Sequence, residues 1–120
     1  MTDPDPSPLD AQIYRDLSTL LGAEKVDQLL VRLEEGLARS FARFEAAPLD
    51  MAALGREAHS LVSQAGMLGF LELAELCREL ETACIDYGDP MPLLEHARRA
   101  RDRAVQEIER LRSAGRQSAA

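Results

Sequence analysis

The sequence predicts an all-α protein, an antiparallel up-down-up-down four-helix bundle with a short extra N-terminal helix capping one end. Three observations carry this. Apolar residues recur at helical spacing along most of the chain, and no run alternates with the period of two that a half-buried strand requires. Apolar residues make up 46% of the chain but aromatic ones only 4%, and tryptophan is absent. A core must then be built from leucine and alanine, which suits helix packing better than a β-sandwich. The longer periodic segments are joined by short links, and short links make neighbouring helices run antiparallel.

The elements follow in order. Residues 1–8, with Pro4, Pro6 and Pro8, read as a loose, disordered tail, and the bundle domain is expected over 9–112. Ile13, Leu17 and Leu20 mark a short helix that Gly22 stops. A long helix is expected from about Glu24 to Glu45, striped by Val26, Leu30, Leu33, Leu37, Phe41 and Phe44. Pro48 breaks the chain, and Asp50 is placed to cap the next helix. Met51, Leu54, Ala58, Leu61, Ala65 and Leu68 form that helix's apolar stripe, with Gly69 at its end. Leu71 to Tyr87 follows, turning Leu73, Leu76, Cys77, Leu80 and Cys84 inward. Gly88-Asp89-Pro90-Met91-Pro92 is a turn into the last helix, striped by Leu94, Ala97, Ala104, Ile108 and Leu111. Residues 113–120 are expected to fray.

Composition narrows the function. A chain of 120 residues with a formal net charge of −7 is one domain with a poor surface for a phosphate backbone, so nucleic acid is not expected. No apolar run approaches the roughly 18 residues of a membrane helix. Met1 to Asp10 carries three prolines and three aspartates and no hydrophobic stretch, so it does not read as a signal peptide. Cys77 and Cys84 lie seven apart on one helix, or about 10 Å by helical rise, too far for a disulfide between them. Both read as small core residues, and a cytoplasmic location is expected.

The residue with the most chemical potential is His59. It borders the apolar stripe of its helix, and its helical neighbours are Gly55, Val62, Ser63 and Gly66. Glycine inside a helix costs about 1 kcal/mol relative to alanine. Two readings of its presence here are open: an unobstructed lane that lets a partner approach the imidazole, or close packing of another helix beside an ordinary surface histidine. A hairpin turning near Phe70 brings Glu81 level with His59, since each lies eleven positions from the turn. A carboxylate there can hold Nδ1–H and leave Nε2 as the nucleophile. Arg56, three residues before His59, shares its face and can supply positive charge. Arg78 is a second such candidate. Ser63 and Gln64 can hydrogen-bond a bound oxyanion. His96 has no second ligand at metal spacing and reads as a surface histidine. Arg98, Arg99, Arg101 and Arg103 read as a solvated face pairing with nearby acids. No metal or cofactor is called for. Phosphate loops and catalytic triads are missing from the inventory.

The string His59-x-Leu61-x-x-x-x-Gly66-x-x-Gly69, followed by Leu73, Leu76, Cys77 and Leu80-Glu81, resembles the histidine-containing phosphotransfer (HPt) domain of bacterial phosphorelays. Leu17-Ser18-Thr19-Leu20-Leu21-Gly22 with Val26, Leu29, Leu30 and Leu33, and Ala46-Ala47-Pro48-Leu49-Asp50, are similar to that family's flanks. The resemblance implies a phosphocarrier and not an enzyme. His59 would take a phosphoryl group from an aspartate of a response-regulator receiver domain, or from a sensor histidine kinase, and pass it to another receiver. The receiver would supply the Mg²⁺ and the acidic pocket. A polar partner at Glu81 is also implied. The family usually carries lysine three residues after the histidine and glycine four after, where this chain has Val62 and Ser63. The alternative reading is an HPt-like adaptor that binds a receiver without carrying phosphate. A docking patch is expected around His59 from Val62, Met67 and Leu17 or Ile13. The protein is expected to be a monomer.

Overall fold

The computed structural model describes residues 7–41, 50–86 and 88–119, with side chains through 115. Five helices follow one another: α1 (Ala11–Leu21), α2 (Ala23–Arg39), α3 (Met51–Leu68), α4 (Leu71–Ile85) and α5 (Met91–Ala119). There is no strand among the described residues. Their mutual contacts bring α3 against α4, α4 against α5, and α2 against both α3 and α5, while α1 touches α2 and α3.

The helix ends have local causes. The Asp10 carboxylate accepts from the backbone N–H groups of Gln12 and Ile13, and that of Asp50 accepts from Ala53, so each satisfies amides a helix start leaves unpaired. Gly22, at φ 90°, closes α1 and opens α2. Gly69, at φ 100°, closes α3 in the left-handed region that favours glycine. The backbone N–H of Asp10 donates to the Gly69 carbonyl at 2.8 Å, which ties the start of α1 to the α3–α4 turn.

The core is the leucine and alanine set the stripes foretell. Leu30, Leu33, Leu37, Leu54, Ala58, Ala65, Leu80, Leu94, Ala97, Ala104 and Ile108 are all buried. Each large side chain taken from water there contributes about 1.5–3 kcal/mol. Cys77 and Cys84 are free and buried. Burial, with Glu57 nearby, pushes the Cys77 thiol up to about 12.

Three boundaries differ from the sequence reading. The helix α2 ends at Arg39 and not near Glu45. Phe41 stays fully buried, but it takes φ 64°, outside the helix. A left-handed Phe costs about 1–2 kcal/mol, so something must hold it. Its N–H donates to Glu57 Oε1 at 2.7 Å, and Arg98 and Arg101 of α5 donate to the Phe41 and Ser40 carbonyls at 2.9 and 2.7 Å. These partners lie far away in sequence, so no local signal announces the stop. It also corrects the reading of the α5 arginines. Arg99, Arg101 and Arg103 pair with Glu95, Asp102 and Glu72 as expected, but Arg98 and Arg101 also cap α2. The helix α4 ends at Ile85, two residues early. The last helix continues to Ala119, past the 112 at which fraying is expected. Residues 113–119 contain no proline to stop it and mostly good or tolerable helix formers. The expected tail through residue 6, Phe44, Pro48 and Tyr87 lie outside the described residues.

Candidate functional site

The α3–α4 hairpin positions the site. The two helices approach closely because small residues line their seam. A methyl group added at Gly55 would sit 3.3 Å from Cys84 Cβ, and one at Gly66 would sit 3.7 Å from Ala74 Cβ. The space beside both glycines is therefore occupied by α4, and the reading of an open lane for a partner does not apply at these two positions. Val62 is half-buried and packs against the core. The seam sets the hairpin's register, and the register brings α4 side chains to the flank of His59.

His59 projects from the exposed side of that seam. Its side chain is 76% exposed, and Nδ1 lies 2.7 Å from Oε2 of Glu81, itself 25% exposed. An ionised carboxylate only accepts, so the proton of this hydrogen bond belongs to Nδ1. Nε2 is then left with its lone pair, and among the described residues it has no hydrogen-bond partner. The result is an oriented imidazole whose Nδ1 side is anchored and whose Nε2 side faces solvent, an arrangement suited to a nucleophile.

The matching sequence stretch covers three of the five helices whole and most of the last. The Hpt domain model matches residues 21–114, from the last residue of α1 into α5. The chain belongs to the Hpt domain family. Neither the curated proteins nor the solved structures compared with the chain include a match. Hpt domains are phosphocarrier modules, and membership implies a phosphotransfer role in two-component signalling.

Within this Hpt domain the other site candidates divide between two faces. A shallow cleft of about 650 Å³ runs beside His59 between α3 and α4, with Gly55, Arg56 and Glu81 in its lining. Arg56 is exposed, and no ion pair holds it among the described residues. Gln64 lies on the opposite flank of α3, facing α2, where its Nε2 donates to Ser60 Oγ at 3.3 Å. Ser63 is exposed on α3, one turn from His59. Arg78 is paired with Glu75 at 2.7 Å and so is not directed at Glu81. His96 is exposed in a recess with Glu72 and Arg99. Among the described residues no cluster of His, Cys, Asp or Glu could hold a metal ion, and no helix is long and apolar enough to cross a membrane.

The apolar side chains that share a cleft with His59 are not the ones the sequence singles out. Met51, Ala52, Cys84 and Ile85 line the cleft, and Ile85 is 65% exposed. Met67 is exposed but lies toward α2, and Ile13 sits against Gly69 at the far end of α3. Ile85 was readable as an apolar residue one step off the inward stripe of α4, a position that faces out. Burial also pushes the Cys84 thiol up, helped by the charge of Glu81, so it remains a neutral thiol at the cleft floor.

Proposed function

We propose that His59 is the phosphoryl acceptor and donor of a phosphorelay. The partner is a response-regulator receiver domain, with a sensor histidine kinase as the other possible source of phosphate. The observation that carries this is the 2.7 Å bond from His59 Nδ1 to Glu81, which leaves Nε2 bare toward solvent. The Nε2 lone pair attacks phosphorus of the receiver's acyl phosphate, and the P–O bond to the aspartate breaks. The aspartate leaves as a carboxylate, and the phosphoryl group is carried on nitrogen. The ring becomes positive as the N–P bond forms, and the Glu81 carboxylate lies opposite that charge. The reverse transfer runs by the same path. Arg56 offsets charge on the phosphoryl oxygens and Ser63 is the adjacent donor, while Gln64, on the opposite flank of α3, is left to contact the partner. Transition-state charge on the phosphoryl oxygens is offset mainly by the receiver's metal and acidic pocket.

Docking uses the cleft lined by Met51, Ala52 and Ile85, whose apolar surface adjoins the nucleophile. A helix face laid on the receiver is the mode that suits it. The bundle is a monomeric, cytoplasmic four-helix up-down-up-down scaffold, with α1 capping the end at which Asp10 meets Gly69. The test is transfer from phosphorylated receivers. Acid-labile, base-stable label should appear on wild type and on His96→Ala and disappear from His59→Gln. Label retained by His59→Gln would move the site elsewhere. Receiver binding with no label on wild type would favour the adaptor reading, for which the replacement of the family's usual lysine by Val62 is the supporting feature.

A further inference from the structure

The protein is acidic overall, with 14 Lys and Arg against 21 Asp and Glu, yet one groove is lined by guanidinium groups that no acid pairs among the described residues. The groove runs between α2 and α3, with a volume of about 880 Å³, and Arg32, Arg39 and Arg56 line it. All three are exposed, and none holds a carboxylate, amide or carbonyl among the described residues. Every other arginine whose side chain is described does hold one. The unpaired guanidiniums are therefore not scattered over the surface. They converge on one face.

The floor of the groove supports an occupant. Gly36 lies between Arg32 and Arg39 on α2, and among the described residues a methyl group there would meet only Gln64 Oε1, at 3.9 Å. Packing among the described helices does not require that glycine, although it weakens the helix by about 1 kcal/mol relative to alanine. Of the groove's two carboxylates, Glu57 is engaged by the Phe41 N–H, which leaves Glu35 as the acid facing the arginines. One end of the groove is apolar, where Leu29 is half-buried and Met67 is 46% exposed. Arg32 and Arg39 are seven residues apart, or about 10 Å along the axis, two turns of a facing helix.

We propose that this groove seats an acidic amphipathic helix of the docking partner, its carboxylates against Arg32, Arg39 and Arg56 and one apolar side chain at Leu29 and Met67. Arg56 and Ser60 belong to the groove and also flank His59, so a partner over the imidazole extends naturally along α2. The inference rests on the phosphorelay reading for the identity of that partner. Its role is selection: a receiver that presents a basic or neutral helix to this groove meets like or uncompensated charge and is rejected.

The test uses the full ¹⁵N-labelled chain and a stapled helical peptide of about 14 residues, about 21 Å long, with glutamates one and two turns apart and leucines on the adjoining face. A matched peptide with lysine at each glutamate is the control. The expected result is saturable amide shifts confined to α2 and α3 around Arg32, Gly36, Arg39, Ser60 and Gln64. The double variant Arg32→Glu/Arg39→Glu should weaken binding about tenfold or more, and raising salt from about 0.05 to about 0.3 M should weaken the wild type. Arg32→Gln/Arg39→Gln should fall between, which guards against a fold defect in the reversed-charge chain; circular dichroism checks each. No saturable shift, equal shifts with the lysine peptide, indifference to charge reversal, or shifts centred on Ile85 overturns the proposal. Labelling of His59 by a small phosphoramidate is read in parallel. Arg32→Glu/Arg39→Glu should keep that label, and His59→Gln should lose it while still binding the peptide. Loss of groove binding with label intact refutes the groove alone, and absent label on wild type with intact groove binding refutes the phosphorelay reading alone.

Discussion

Replacing Glu81 by alanine should change which nitrogen of His59 carries the proton. The bond at stake is short, 2.7 Å, and joins a carboxylate to a ring N–H. A hydrogen bond to a charged group contributes about 1.5–3 kcal/mol when sheltered. Here the imidazole is 76% exposed, and water competes for both partners. Screening at such a site reduces the figure to about 1 kcal/mol. That is roughly a fivefold preference for Nδ1–H over the alternative tautomer, since 1.4 kcal/mol is tenfold. Long-range ¹⁵N–¹H correlation of the imidazole, taken where the ring is neutral, reads the tautomer ratio directly. Wild type should show Nδ1 protonated as the major form, and Glu81→Ala should shift the ratio toward Nε2–H by about fivefold. Transfer to Nε2 should slow by less, about twofold, because the tautomer with a free Nε2 lone pair falls from roughly five-sixths to roughly one-half of the molecules. Glu81→Gln should be intermediate, since its amide oxygen still accepts but carries no charge. Tautomer ratios equal in wild type and Glu81→Ala would refute the claim that this carboxylate orients the nucleophile.

Other perturbations test the surroundings. Val62→Lys should raise the transfer rate about fivefold by placing a cation one turn from the imidazole, its stem lying over the half-buried site while the ammonium reaches water; Arg56→Ala should lower the rate by about the same factor. Transfer rates equal across both variants and wild type would show that no charge on this flank matters. Gly66→Ala should raise thermal stability by about 0.5–1 kcal/mol, because the added methyl meets Ala74 at an ordinary 3.7 Å. Gly55→Val should lower it by about 1–3 kcal/mol by crowding Cys84, as denaturant midpoints will record. Alkaline stability should report on Cys77. Its folded thiol is raised from 9.0 to about 12, so below about pH 9 both folded and unfolded thiols are protonated and nothing is lost. Above that the unfolded chain releases its proton first, and stability falls by about 1.4 kcal/mol per pH unit until the folded thiol titrates as well. Cys77→Ala should show a shallower decline over that range, measured by urea unfolding against pH, and an unchanged slope would count against a buried neutral thiol.

Much of the fold was legible because helix packing writes its period into the sequence. The stripes of α2 through α5 supply most of the buried set, with Met51, Leu76 and Leu111 only half-buried, and Gly22, Asp50 and Gly69 act where their types predict, since caps are local events. The pairing of His59 with Glu81 is non-local, yet it was readable, because a tight hairpin converts sequence distance from Gly69–Phe70 into axial level. What escaped the sequence depends on third helices. The end of α2 is imposed by Glu57, Arg98 and Arg101, which reach Ser40 and Phe41 from two other elements. The meaning of Gly55 and Gly66 was open to two readings, because periodicity gives a residue's azimuth but not the object it faces. Cys84 and Ala74 turned out to be that object. The same gap explains the displaced apolar patch. Ile85 and Met51 come from opposite ends of a hairpin, and only the antiparallel pairing joins them beside the histidine. A histidine's chemistry is therefore predicted best by whatever shares its level on the neighbouring helix. The apolar surface beside it is predicted best by residues just off the inward stripe at that level, and on α4 that residue is Ile85.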